Sequence, residues 1–322
     1  MTQSLEIFLN GLIDYAGLFP PAKLPLDEAF PNYVKYKNEK YQKIISKFIC
    51  PAEKLSELQS LLYEIPESFE RVYPVSVLGK GGLDKEDFFM NLEYDLKNWH
   101  TFQSKNSTVT ESKTFEVKIP EVLIASGNSD TIYDLIEPCS DFISQIIGED
   151  VIIAFEVTLI DDWKHNTRKS IEAIKRHNLN FDNVIFKLRT GGLSAEAFPA
   201  TDQVAFVIHE LLDRNIPMKC TAGLHHPLRH FNKSVNIKMH GFFNIFCCGV
   251  IAYTHNISHH EMVNLLEDEN ATRFEFSGEY FSWNGYRVTL NEISAGREEF
   301  LLSFGSCSFN EPLEDMKSMG LL

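Results

Sequence analysis

The sequence predicts a (β/α)8 barrel of the TIM type, one domain over residues 1–322, with a long insertion between its seventh and eighth strands. Three observations carry this. Eight short runs of β-type residues alternate with helical segments, which implies a parallel α/β sheet. Eight such units imply closure, and a chain of 322 residues has room for the roughly 250 that such barrels take. One connection, Ala222 to Phe300, is about twice the length a crossover helix needs. A doubly wound open sheet is the competing reading of the same alternation.

The strand-like runs are Leu12–Leu18, Ile44–Cys50, Val72–Leu78, Phe115–Ile119, Ile152–Leu159, Val184–Arg189, Met218–Ala222 and Phe300–Ser306. Helical periodicity covers Asp27–Tyr41, Ala52–Leu62, Asp84–Phe102, Thr131–Ile146, Asn166–His177, Ala200–Arg214 and Pro312–Met319. Gln103–Lys113 reads as a polar loop. The insertion, about residues 224–297, holds an apolar helix at Gly241–Tyr253, a second helix at His259–Asn270, and a hairpin turning at Asn284-Gly285. It is expected over the mouth of the barrel. Asn310 reads as the cap of the last helix, with Pro312 near its first position.

A formal net charge of −15 argues against nucleic-acid or anionic-membrane partners. The longest apolar run is too short to span a bilayer, and the N-terminus lacks the basic segment of a signal peptide. Six cysteines without a CxxC pair read as thiols in a reducing compartment. The expectation is a cytoplasmic protein with a small-molecule substrate, self-association being left open.

Side chains alternate along a strand, so one parity faces the lumen. That parity places Asp14, Glu116, Lys118, Glu156, Lys187, Arg189, Lys219 and Thr221 inside, where branched apolar residues are the rule. Buried ionisable groups are costly unless paired or wet. A structural ion-pair network is the plain explanation. Catalysis is the better one, because active sites of this fold lie at the carboxyl ends of the strands, where these residues fall. Two inward lysines on successive strands suggest particular chemistry. An ammonium beside a second cation gives up its proton more readily, and the amine can attack a carbonyl to form a Schiff base. The imine is an electron sink for breaking or making an adjacent C–C bond, with Asp14, Glu116 and Glu156 to move protons.

Lys187-Leu-Arg-Thr-Gly191, Lys219-Cys-Thr-Ala-Gly223 and Leu12-Ile-Asp14 resemble the strand motifs of class I aldolases of the deoxyribose-phosphate aldolase type. Glu116 stands where that family has an aspartate, and Arg189 enters the sixth-strand motif. The resemblance implies a Schiff base on Lys187, tuned by Lys219, with Asp14 and Glu116 as proton relays. The stretches DYAGLFPPA, KLRTGG, HGF-x-N and FGSCSF also look like landmarks of a widespread bacterial barrel family of unassigned activity.

Other candidates lie in loops. His225, His226, Arg229 and Arg189, with Lys118 and Thr221, are expected to grip an anionic or hydroxylated substrate. Gly191, Gly192, Ser306 and Ser308 offer backbone N–H groups and hydroxyls for the same purpose. Cys307 has no evident base in the sequence and reads as a packing residue. The leading expectation is a lyase of the aldolase type acting on a small oxo or hydroxy compound, anionic or sugar-derived, without a cofactor. One alternative is a metal-dependent hydrolase or lyase holding zinc through the His225–His226 loop. The other is a non-catalytic ligand-binding barrel.

Overall fold

The structure, a computed structural model, describes residues 1–65 and 72–322. Its strands are β1 (Ile13–Tyr15), β2 (Ile45–Pro51), β3 (Tyr73–Leu78), β4 (Thr110–Lys118), β5 (Ile152–Val157), β6 (Val184–Arg189) and β7 (Met218–Thr221). Then follow β8 (His230–Asn232), β9 (Ile237–Met239), β10 (Glu275–Phe276), β11 (Tyr280–Trp283), β12 (Tyr286–Thr289) and β13 (Leu301–Ser306). The helices are α1 (Gln3–Leu9), α2 (Leu26–Lys37), α3 (Leu55–Leu62), α4 (Lys85–Asn106), α5 (Glu121–Ala125) and α6 (Ser129–Ile146). They continue with α7 (Trp163–Asn178), α8 (Thr201–Leu212), α9 (Phe242–Thr254), α10 (His259–Leu266), α11 (Leu290–Ala295) and α12 (Asn310–Ser318).

Eight parallel strands close in the order β1-β13-β7-β6-β5-β4-β3-β2, the (β/α)8 barrel that the alternation predicts. Among the described residues, no helix is long and apolar enough to cross a membrane. Contacts divide the chain into two units, Tyr15–Gln42 with Ser46–Leu188, and Met1–Asp14 with Lys43–Ile45 and Arg189–Leu322.

In the first unit, β2 to β6 pair in parallel, and the register sets Glu156 on β5 beside Lys187 on β6. The side chains of Asp84 and Asn128 cap α4 and α6 by accepting from the N–H groups of Asp87 and Asp130. The expected polar loop Gln103–Lys113 is instead the end of α4 and the start of β4. Thr110, Ser112 and Thr114 alternate with exposed residues and are buried, and the Trp99 indole N–H donates to Ser112 Oγ at 2.9 Å. Trp99 stacks on Phe115 with 5.6 Å between ring centroids. Small hydroxylated side chains leave room for that indole, so a strand here looks polar without being exposed.

In the second unit, Asn284 and Gly285 take positive φ, and β11 and β12 pair through Trp283 and Tyr286 around the expected two-residue turn. The sheet β10–β12 packs on α1, α9 and α11. Phe8 of α1 lies 5.3 Å from Phe276 and 5.8 Å from Phe243 between ring centroids. The expectation of a cover over the mouth is therefore corrected for this sheet, which lies on α1 and α11, the helices that lead into β1 and β13. The β8–β9 hairpin is the part that leaves the carboxyl end of β7.

Helix α9 is apolar on every side because it packs against α8, α10, β12 and β13. Its one buried amide, Asn244, accepts from the Arg229 N–H at 2.8 Å and donates to the carbonyls of Leu265 and Asp268 at 2.9 and 2.7 Å. The α9 amides of Phe242 and Phe243 donate to the His226 and Pro227 carbonyls. Asn244 thus joins the post-β7 loop to the end of α10. Replacing it by leucine keeps the volume and orphans three backbone groups, each worth about 1–3 kcal/mol when buried. Urea unfolding of Asn244→Leu should show a loss of about 3 kcal/mol or more with an unchanged slope.

Candidate active site

Within Tyr15–Leu188, β3 to β6 bring four polar side chains together. The Lys187 ammonium lies 3.0 Å from Glu116 Oε2 and 3.0 Å from Glu156 Oε2. Ser76 on β3 donates to the other oxygen of Glu116 at 2.6 Å, fixing the carboxylate so that Oε2 faces the lysine. Glu116 is 0% exposed, Lys187 4% and Glu156 6%. The cluster therefore has a sealed end at Glu116 and an end reachable by solvent at Glu156. One ammonium between two carboxylates gives the nitrogen an immediate proton acceptor on either side.

In the second unit, Lys219 on β7 donates to Asp14 Oδ2 at 2.7 Å, and Ser303 on β13 donates to the same oxygen at 2.6 Å. Asp14 is 0% and Lys219 1% exposed. Arg297, on the turn before β13, is buried and donates to the backbone carbonyls of Asn10, Leu301 and Leu302. Burial pushes its guanidinium down to about 9 against the opposing pull of Asp14. Each of the two lysines is thus ion-paired to carboxylate within its own unit.

Two of the expected substrate-gripping residues lie at the exposed ends of their strands. Lys118 is exposed and pairs with Glu121 of α5 at 2.6 Å, and Arg189 is exposed as well. Both stand at the last residue of their strands, where parity still gives the face but the barrel has ended.

The motif loops are shaped by a close crossing. A Cβ on Gly191 would stand 2.7 Å from the Cα of Gly223, and Gly223 itself has φ +76°. Thr190 spans the same crossing, its N–H donating to the Thr221 carbonyl at 2.8 Å and its hydroxyl to the Ala222 carbonyl. A Cβ on Gly192 would press on Ala197 at 2.6 Å. These glycines, expected as an anion cradle, are required by packing. Thr221 is half-buried, and its carbonyl is the acceptor in this crossing. Ser306 and Ser308 close their own turn, the Ser306 hydroxyl donating to the Ser308 carbonyl at 2.7 Å.

The histidines have protein partners. His225 Nδ1 lies 3.4 Å from Glu311 Oε2 and 3.9 Å from Cys307 Sγ, while His226 Nδ1 lies 2.5 Å from Asp315 Oδ2. His240 donates from Nε2 to the Pro199 carbonyl at 2.7 Å, leaving Nδ1 to accept from Arg229 at 3.4 Å. Burial lowers the affinity of His225, His230, His240 and Arg229 for their protons. Among the described residues, no group of three or more His, Cys, Asp or Glu is arranged to hold a metal ion.

The sequence reading missed Ser76, Ser303 and Arg297. The two serines are uncharged, so a search for charge parity passes over them. Arg297 sits in Gly296-Arg-Glu-Glu-Phe300, whose composition resembles a solvated surface turn.

His240 gives the site a testable pH dependence. Its folded pKa of about 4 lies below the ordinary value of 6.5. The fold therefore holds it neutral, and the associated stability, full above pH 6.5, is lost as pH falls towards 4. The term is about 3 kcal/mol at most. Urea midpoints should drop over that window, and less steeply for His240→Gln, whose amide can still donate to Pro199 and accept from Arg229. Parallel pH curves for the two proteins would refute this assignment.

No family model matches the chain and no curated protein matches it, so the functional reading rests on the site itself.

Proposed function

We propose that the protein is a carbon–carbon lyase of the class I aldolase type, acting on a small oxo or hydroxy compound through a Schiff base on Lys187. The observation that carries the reading is the buried Lys187 ammonium set 3.0 Å from each of two carboxylates on neighbouring strands. The motif resemblance in Lys187–Gly191 supports the same residue.

In the first step an ammonium proton passes to Glu156, and the Lys187 nitrogen attacks the substrate carbonyl carbon. Glu156 returns that proton as water leaves, giving the iminium. It then takes the β-hydroxyl proton of the substrate as the Cα–Cβ bond breaks and its electron pair forms the enamine. Glu156, at the more exposed end, is placed to return a proton to the resulting enamine. Glu116, held by Ser76, stays as the fixed counter-charge that keeps the cluster from collapsing around a lone cation. Hydrolysis of the imine restores the amine.

Borohydride reduction in the presence of acetaldehyde or pyruvate, followed by intact mass and peptide mapping, tests this. A single adduct on Lys187 is expected. Lys187→Arg keeps the charge against both carboxylates and should lose the adduct while retaining its circular dichroism spectrum. Adducts scattered over surface lysines, or one that survives Lys187→Arg, would overturn the proposal.

A further inference from the structure

The six cysteines are chemically unequal. Cys50, Cys139, Cys220, Cys247 and Cys248 are each 0% exposed, whereas Cys307 is 7% exposed. Burial pushes the Cys220 thiol up to about 12 and holds Cys50, Cys139, Cys247 and Cys248 higher still. None of those five is a nucleophile near neutral pH.

Cys307 sits in a different setting. It is the residue after β13, in a turn closed on both sides by Ser306 and Ser308. Its Sγ faces His225 Nδ1 at 3.9 Å, across from the loop that follows β7. Glu311 Oε2 approaches the same ring nitrogen at 3.4 Å. Burial, and the nearby His226 and His230, keep the His225 ring neutral, while Glu311 pulls the other way. A proton arriving on Nδ1 from the thiol would lie between thiolate and carboxylate, which stabilises the imidazolium so formed.

We propose that Cys307 and His225 form a nucleophilic thiol–imidazole pair, a covalent site for small activated alkenes such as α,β-unsaturated carbonyl compounds. Sγ adds to the β-carbon as the thiol proton moves to His225 Nδ1. The displaced π electron pair forms an enolate, which takes that proton at the α-carbon. A thioether results, with no leaving group and no oxidant. Lys187 takes no part in this step.

N-ethylmaleimide, itself an activated alkene, is the probe. With limiting reagent and the native full chain, mass mapping should find one adduct, on Cys307, before any other thiol reacts. Cys307→Ser should abolish it, and Lys187→Arg should leave it unchanged, which separates this site from the Schiff-base reading. His225→Gln should slow the labelling roughly tenfold or more. Should His225→Gln fail to fold, the wild-type pH profile decides. Labelling that reaches half its maximal rate well below pH 8.5, the ordinary thiol value, supports the pair. A profile that tracks an ordinary thiol, an adduct elsewhere, or a rate indifferent to His225→Gln overturns it.

Discussion

An ammonium cannot remain buried without a counter-charge, and that constraint couples the site to the fold. Lys187 is 4% exposed, and its partners come from β4 and β5 rather than from its own strand. Removing one partner of a buried pair typically costs about 3–5 kcal/mol, more than most single substitutions remove. The pairing therefore depends on register. Slipping β6 by one residue against β5 would turn Lys187 outwards and set Leu188 or Phe186 against Glu156. The proposed chemistry and the strand alignment thus draw on the same three side chains.

The second unit solves the same problem with different parts. Asp14 Oδ2 receives both the Lys219 ammonium and the Ser303 hydroxyl, so a single carboxylate oxygen carries two donors from β7 and β13. Arg297 is buried by another route, its guanidinium spread over backbone carbonyls at the turn into β13. Where Lys187 has two carboxylates within reach, Lys219 has a carboxylate already engaged by a hydroxyl. In the proposed chemistry a Lys187 proton passes to one carboxylate while the other remains as counter-charge for the iminium. That asymmetry is why the proposed amine chemistry is centred on Lys187.

The architecture was legible because it is written in local alternation. Eight β-type runs and the helices between them appear in the structure with ends shifted by a few residues, and Asn284-Gly285 turns where its backbone preference demands. Strand β4 was misread at its start because Thr110, Ser112 and Thr114 are polar by composition yet buried under Trp99. Parity placed Asp14, Glu116, Glu156, Lys187 and Lys219 correctly in the interior. It did not show that Lys118 and Arg189 are exposed, because parity fixes the face of a strand and says nothing about height along the barrel. Nor does it say which inward groups meet, so the carboxylate partners of each lysine became visible only with the register.

Loop chemistry was the least legible, and the reason is separation along the chain. Cys307 and His225 stand 82 positions apart, and nothing in either neighbourhood announces the other. They meet because each follows the carboxyl end of a strand, β7 or β13, and those strands pair through Thr221 and Gly305. The same geometry explains the motif glycines. Gly191 and Gly223 are small because two backbones cross there, with Thr190 bonded across the gap, and no bound anion is needed to account for them. A motif of small residues after a barrel strand therefore has two physical origins, close backbone approach and ligand recognition. At positions 191 and 223 the contact distances already supply the first.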